Sequence, residues 1–210
     1  MRENRVDEAL GLLDQHYQTF HAIAPLAART GHPIPMDTRA WSQVLVSTLT
    51  GVRGLDRKKG ADLDDGSDVK GANTWSAIDT PRFNGVIKAG TQAENSNRIE
   101  SLDTMPHLYF VLWDISPRNA ARCRIWVVRP RYDARFRDMC RAWYGQHASG
   151  AIKSNNFQVH PPRGSDLNVL RNKCGNLLYP LLFSAERRGA GYAPTHFNPG
   201  VLETGSCTAV

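Results

Sequence analysis

The tripeptide Asp64-Asp65-Gly66 restricts this chain more than any other feature, because it dictates a reversal of direction within three residues. A type I turn followed by one residue at positive φ closes such a loop, and glycine takes that last place without a Cβ clash. The reversal predicts a short β-hairpin over residues 59–74. In that register Leu63 lies opposite Ser67, and Asp62 lies opposite Asp68. Directly opposed residues share a face, with Cβ atoms roughly 5 Å apart. Asp68 and Lys70 stand two apart on one strand and share that face too, whereas Val69 points the other way, into a core. One face of the hairpin is expected to carry two carboxylates and an ammonium.

Two opposed carboxylates repel unless a positive charge lies between them. A hard divalent cation meets that need, and Mg²⁺ prefers one or two carboxylates plus water and phosphate oxygens. Such a metal polarises a phosphoryl oxygen and lowers the pKa of a bound water. Lys70 would orient that water or stabilise the developing negative charge. Asp62, Asp68 and Lys70 are therefore the candidate catalytic residues. Asp62, Asp68 and the Val69 carbonyl are the candidate metal ligands, and phosphodiester hydrolysis is the chemistry implied. A different hairpin register would put Asp64 or Asp65 in the place of Asp62, and Glu94 or Glu100 is a candidate further acid.

Asp62 followed by Asp68-Val69-Lys70 resembles the Asp…(Asp/Glu)-x-Lys signature of the PD-(D/E)xK nucleases. The short spacing is similar to that of the mismatch-repair nicking branch, and Ala61 stands where proline often precedes the first acid. Three further stretches, residues 72–75, 79–84 and 156–163, extend the resemblance to type II restriction endonucleases of the MamI-like group, over about residues 40–185. The resemblance implies an α/β (α+β) fold, a central mixed β-sheet flanked by helices. It implies Mg²⁺-dependent, sequence-specific hydrolysis of double-stranded DNA. It also implies a homodimer acting on palindromes, with one hairpin on each strand.

Lys and Arg outnumber Asp and Glu by 26 to 20, a net charge of +6 that favours a polyanionic partner, although a merely basic soluble protein would show the same balance. The four cysteines form no C-x-x-C pair, so a structural zinc site is not expected. No signal peptide opens the chain, and no apolar run reaches membrane-spanning length. A cytoplasmic protein with reduced thiols, no membrane association and no small-molecule cofactor is the expectation. A single nuclease domain is expected over residues 1–210, with a helical part at 1–54, a catalytic core at 55–185 and a tail at 186–210.

Helical spacing of Val6, Leu10, Leu13, Tyr17 and Phe20 predicts a packing helix over residues 5–24, ended by Pro25. A second helix is expected over 38–52, capped by Asp37 or Thr38 and buried through Trp41, Leu45, Leu49 and Val52. Residues 71–104 are polar and show too little apolar periodicity for a long regular element. Residues 107–113 and 122–128 read as buried strands joined by a turn, and 132–147 as a third helix. Residues 157–160 read as a short strand stopped by Pro161-Pro162. Ser165-Asp166 is expected to cap a short segment through Leu170, residues 177–183 to be mostly buried, and the tail from 198 to be mobile.

Candidate DNA contacts are Lys58 and Lys59 beside the hairpin, then Asn73, Thr74, Arg82, Asn84 and Lys88 in the polar stretch. Asparagine can bind adenine edges and arginine can bind guanine. Arg171, Asn172 and Lys173 form a basic cluster, and His160 and Arg163 flank the two prolines. His160 reads as a structural or DNA-contacting histidine, with general base as the other reading. Two alternatives to a restriction enzyme remain: a monomeric nicking or repair endonuclease, and a basic DNA-binding module without chemistry. In the module Asp62 and Asp68 would be turn acids facing DNA without a metal, a repulsive arrangement.

Overall fold

A computed structural model describes residues 2–56, 60–75, 80–88 and 99–210 of the chain. The helices are α1 (Arg2–Thr30), α2 (Thr38–Thr50), α3 (Ala134–Ala148) and the single turn α4 (Val201–Thr204). The strands are β1 (Asp68–Asn73), β2 (Phe83–Lys88), β3 (Leu108–Ile115), β4 (Ala121–Val128) and β5 (Asn156–Val159). They continue with β6 (Val169–Asn172), β7 (Gly175–Leu178), β8 (Leu181–Arg188), β9 (Gly191–Phe197) and β10 (Thr208–Ala209).

The two apolar runs become β3 and β4, antiparallel neighbours in a five-stranded sheet of order β1-β3-β4-β8-β9. β1 runs parallel to β3 and the other pairs are antiparallel, so the sheet is mixed. Leu108, Phe110 and Leu112 enter one core, and Tyr109, Val111 and Trp113 enter the other. Burial on both faces explains why these strands read as unbroken apolar runs rather than as alternation. α1 and α2 cover one face. α3 covers the other, together with two small sheets, β2-β5 and β10-β7-β6.

Several sequence expectations are corrected. α1 does not stop at Pro25 but continues to Thr30. Proline removes one helical hydrogen bond, but Ala22, Ala24, Leu26, Ala27 and Ala28 around it are strong helix formers. The end comes at Gly31, where His32 N donates to Ala27 O (3.0 Å) and Gly31 N to Ala28 O (3.3 Å), closing a Schellman motif. The polar stretch after residue 71 contains β2, which pairs with β5. A register shift between Asn84 and Lys88 puts Val86 and Ile87 side by side in the core, so no period-two pattern is visible. Ser165-Asp166 caps no helix; Asp166 instead accepts from Arg122 (2.6 Å), and Val169–Asn172 forms a strand. Residues 186–197 complete β8 and form β9, so they belong to the central sheet. The terminal residues are docked: Cys207 is buried and its N–H reaches Asp133 Oδ2 at 2.6 Å.

Two contacts fix α2 against the sheet, one on β3 and one on β1. Trp113 Nε1 donates to Ser42 Oγ (3.0 Å). At Gly71, a Cβ would stand 2.7 Å from Ser42 Oγ and 2.9 Å from Thr38 O, so only glycine permits this approach. α1 is held to the same face by His16, whose ring stacks on Trp113 at 4.0 Å. Burial lowers its pKa to about 4, so the imidazole is neutral at neutral pH and packs as an aromatic ring.

Candidate active site

The reversal at residues 63–67 forms as the tripeptide requires. Gly66 N donates to Leu63 O and Leu63 N to Ser67 O, both at 3.1 Å, and Gly66 has φ +93°. The arms differ from a regular hairpin. Residues before the turn bridge Gly54 through Leu63, whereas β1 finds its ladder with β3, Asp68 lying opposite Leu108. The turn still delivers Asp62 to Asp68. Val69 N donates to Asp62 Oδ2 (3.0 Å) and lies 2.9 Å from Asp68 Oδ1, so both carboxylates converge on one N–H. Lys70 Nζ is 2.6 Å from Asp68 Oδ2. Val69 itself is buried on the helix side.

Both acids are buried, and their ionisation is split. Burial raises Asp68 to about 6, and its hydrogen bond with Asp62 adds to the rise against the pull of Lys70. Burial pushes Asp62 up as well. Hydrogen bonds from Asp68, the Val69 N–H and Arg39, with the charge of Lys70, outweigh it and hold Asp62 below the usual carboxylate range. Carboxylates this close titrate as a pair, and one keeps its proton far longer than an isolated aspartate would.

These groups line a cavity of about 530 Å³ with Arg39, Arg82, Asn84 and Gly85. Among the described residues no histidine or cysteine lines it, and no group of three or more His, Cys, Asp or Glu is arranged to hold a metal ion. Two hard carboxylates at the floor of an open polar cavity form an all-oxygen donor set that fits Mg²⁺ with water and phosphate oxygens. Asp64 and Asp65 sit in the exposed turn outside the cavity, and Asp65 is engaged by Ser67 N (2.8 Å). Glu100 begins the short 3₁₀ turn Glu100–Leu102 and does not line the cavity. Glu94 lies outside the described residues.

The candidate DNA contacts separate into groups. Arg82 and Asn84 share the cavity with the acids. Thr74, Arg163 and Arg171 line a second cavity of about 530 Å³, walled by Pro81, Ile115, Pro161 and Pro162. His160, Asn172 and Lys173 border a small third cavity. The His160 ring lies 3.4 Å from Pro81 O, and its pKa is lowered, first by burial and also by the charges of Arg171, Arg82 and Arg163. It does not line the cavity that holds the acids. The Asn73 and Asn172 amides are used inside the protein: Asn73 Oδ1 accepts from Trp75 N (2.5 Å), and Asn172 donates to Gln158 O (2.6 Å). Lys88 ends β2, while Lys58, Lys59 and the Lys88 side chain fall outside the described residues.

Sequence reasoning missed Arg39. Its guanidinium reaches Asp62 Oδ1 at 3.0 Å from the first turn of α2. The one available signal was an arginine at a helix start that has no acidic residue in its first turn.

A family profile described as MamI restriction endonuclease matches residues 25–193. The chain is 33% identical over 163 residues to the type II restriction enzyme MamI of Microbacterium ammoniaphilum, an alignment covering 72% of this chain and 52% of that protein. The chain thus spans about half the length of the curated relative it matches. No solved structure matches it. Among the described residues, no helix is long and apolar enough to cross a membrane. With the profile spanning most of the sequence and both cores of the fold, the chain belongs to the MamI restriction endonuclease family.

Proposed function

We propose that the chain carries the PD-(D/E)xK catalytic site of a type II restriction endonuclease and hydrolyses phosphodiester bonds of double-stranded DNA with Mg²⁺. The observation that supports this reading most is the convergence of Asp62 and Asp68 on the Val69 N–H, with Lys70 bonded to Asp68. Asp62 and Asp68 would hold the cation, with the Val69 carbonyl as the third protein ligand. The bound cation would polarise a phosphoryl oxygen and acidify a water. Lys70 orients the attacking water and stabilises the charge that develops on the phosphate. Arg82 and Asn84 hold the scissile strand at the cavity mouth. The duplex continues toward Arg163 and Arg171, whose charges, with that of Arg82, cluster about His160. Thr74 lies six residues along from Asp68, about 20 Å at strand rise, so the second cavity serves base pairs away from the cut. Two copies acting together would bring one such site to each strand.

Digestion of a sequenced, unmethylated plasmid in Mg²⁺ and in EDTA tests the reading. Discrete linear fragments only in Mg²⁺ are expected. Open circles alone would replace the dimeric enzyme with a nicking one. Intact DNA with a gel shift in both conditions would leave a binding module.

A further inference from the structure

Arg39 lines the catalytic cavity, yet the hydrolytic scheme gives it no task. Its backbone is fixed. Arg39 N donates to the capping Asp37 (2.9 Å), and α2 is locked to the sheet by the Ser42–Trp113 bond on β3 and by its close approach to Gly71 on β1. The side chain is not fixed in this way: it is 54% exposed and held at its end by Asp62 Oδ1, 3.0 Å away. Asp62 Oδ2 accepts from Val69 N and Oδ1 from Arg39, so a cation that reaches Oδ1 competes with the guanidinium for it. A positive charge in the first turn of a helix opposes the helix dipole, and only the capping Asp37 carboxylate lies there to offset it. The helix dipole does not favour arginine here, and the guanidinium is directed to Asp62.

We propose, resting on the nuclease reading, that Arg39 is a cation-displaced phosphate clamp. It neutralises Asp62 until a divalent cation takes Oδ1. The released guanidinium then binds a DNA phosphate at the same cavity. A planar fork of N–H donors suits a carboxylate and a phosphate equally, so one side chain serves both partners in turn. The exchange couples two events: cation binding frees a phosphate ligand, and a phosphate at the cavity draws Arg39 off Asp62 and favours the cation. By linkage, DNA and cation should each tighten the binding of the other.

The test uses the full chain and Arg39→Ala. Arg39 is largely exposed and alanine favours a helix, so the variant folds. First, Mn²⁺ is titrated without DNA, and free Mn²⁺ is read by electron paramagnetic resonance. Loss of the competing guanidinium should tighten Mn²⁺ binding about two- to fivefold, as expected for breaking one exposed ion pair. Unchanged or weaker Mn²⁺ binding would overturn displacement. Second, the salt dependence of duplex binding is measured in Ca²⁺ and in EDTA. Arg39→Ala should flatten the slope by about one in Ca²⁺ and leave it unchanged in EDTA. Equal flattening in both would make Arg39 a standing DNA contact, and no change in either would make it a structural partner of Asp62. Each of these two results ends the clamp. A wild-type chain that neither binds nor cuts DNA overturns the phosphate half together with the nuclease reading, while the Mn²⁺ titration still judges displacement.

Discussion

Two clusters of aspartate and basic side chains lie at opposite ends of the central sheet. At the far end of β3, Asp114 accepts from Arg122 Nε (2.9 Å) and Nη2 (2.8 Å) and from Arg124 Nη2 (2.7 Å). All three side chains are at most 5% exposed. Arg122 and Arg124 also donate to the carbonyls of Ser165 and Leu167, and Arg122 bonds Asp166, so the cluster ties the 165–168 segment to the sheet. At the other end, Asp62 and Asp68 face each other over one N–H, Lys70 answers Asp68, and the cation on Asp62 is an exposed side chain. In the first cluster two guanidinium forks surround one carboxylate. In the second, two adjoining carboxylates each have one basic partner beside an open cavity. Similar residue types thus give a fastening in one place and a poised site in the other, and the deciding variable is how exposed the basic partners are.

Substitution at each end should separate the two roles. The largest effect is expected for Asp68→Ala: cleavage falls on the order of 10⁴-fold, since several kcal/mol of metal-derived stabilisation is lost, while the melting temperature holds or rises. Substantial cleavage by this variant would dismiss the site. Asp114→Ala should do the reverse in kind. It leaves two guanidinium groups buried without their carboxylate and costs about 3–5 kcal/mol in denaturant unfolding. A variant as stable as wild type would mean the sealed cluster is no fastening at all. Lys70→Ala should lower single-turnover cleavage by about 10²–10³-fold with little change in unfolding. A rate within a few-fold of wild type would remove Lys70 from the chemistry.

Acidity provides a subtler contrast. Asp68 binds its proton more tightly folded, near 6, than unfolded, so its contribution to metal-free stability is complete below about pH 4 and is lost as pH rises through about 6. Asp68→Asn should therefore gain on wild type by roughly 2 kcal/mol between pH 4 and pH 7 without metal. A gap that stays constant across that range would show that burial and the neighbouring Asp62 do not raise Asp68. The smallest effect is expected at Arg171, whose replacement by alanine should weaken duplex binding a few-fold and flatten the salt slope by about one. An unchanged slope would assign Arg171 to its bond with Pro161 O alone.

The legible parts of the sequence were the locally determined ones. Asp64-Asp65-Gly66 fixes its own turn, and period two then sets Asp68 and Lys70 on one face and Val69 on the other. The runs in β3 and β4 announced burial because both faces of the sheet are covered. Features decided across the fold were not legible. β2 was hidden by its register shift. The path of α1 past Pro25 was decided by alanine-rich neighbours that outweigh one missing hydrogen bond. The terminal residues looked small and polar, yet their anchor is a backbone N–H that finds Asp133 on another element. Arg39 lies 23 positions from Asp62, and no local pattern joins them.

Gly71 makes no polar side-chain contribution to the cavity, yet its missing Cβ sets how closely α2 approaches the strand of the acids. For natural variation this makes position 71 a hidden point of failure. A single added methyl group would push α2 outward and carry Arg39 away from Asp62, leaving every reactive group in the sequence but not in register. Loss of function by that route would look like loss of chemistry in any screen that scores only the acids and the lysine, and a change at Ser42 alone would not restore it, because the Thr38 carbonyl stands in the same space.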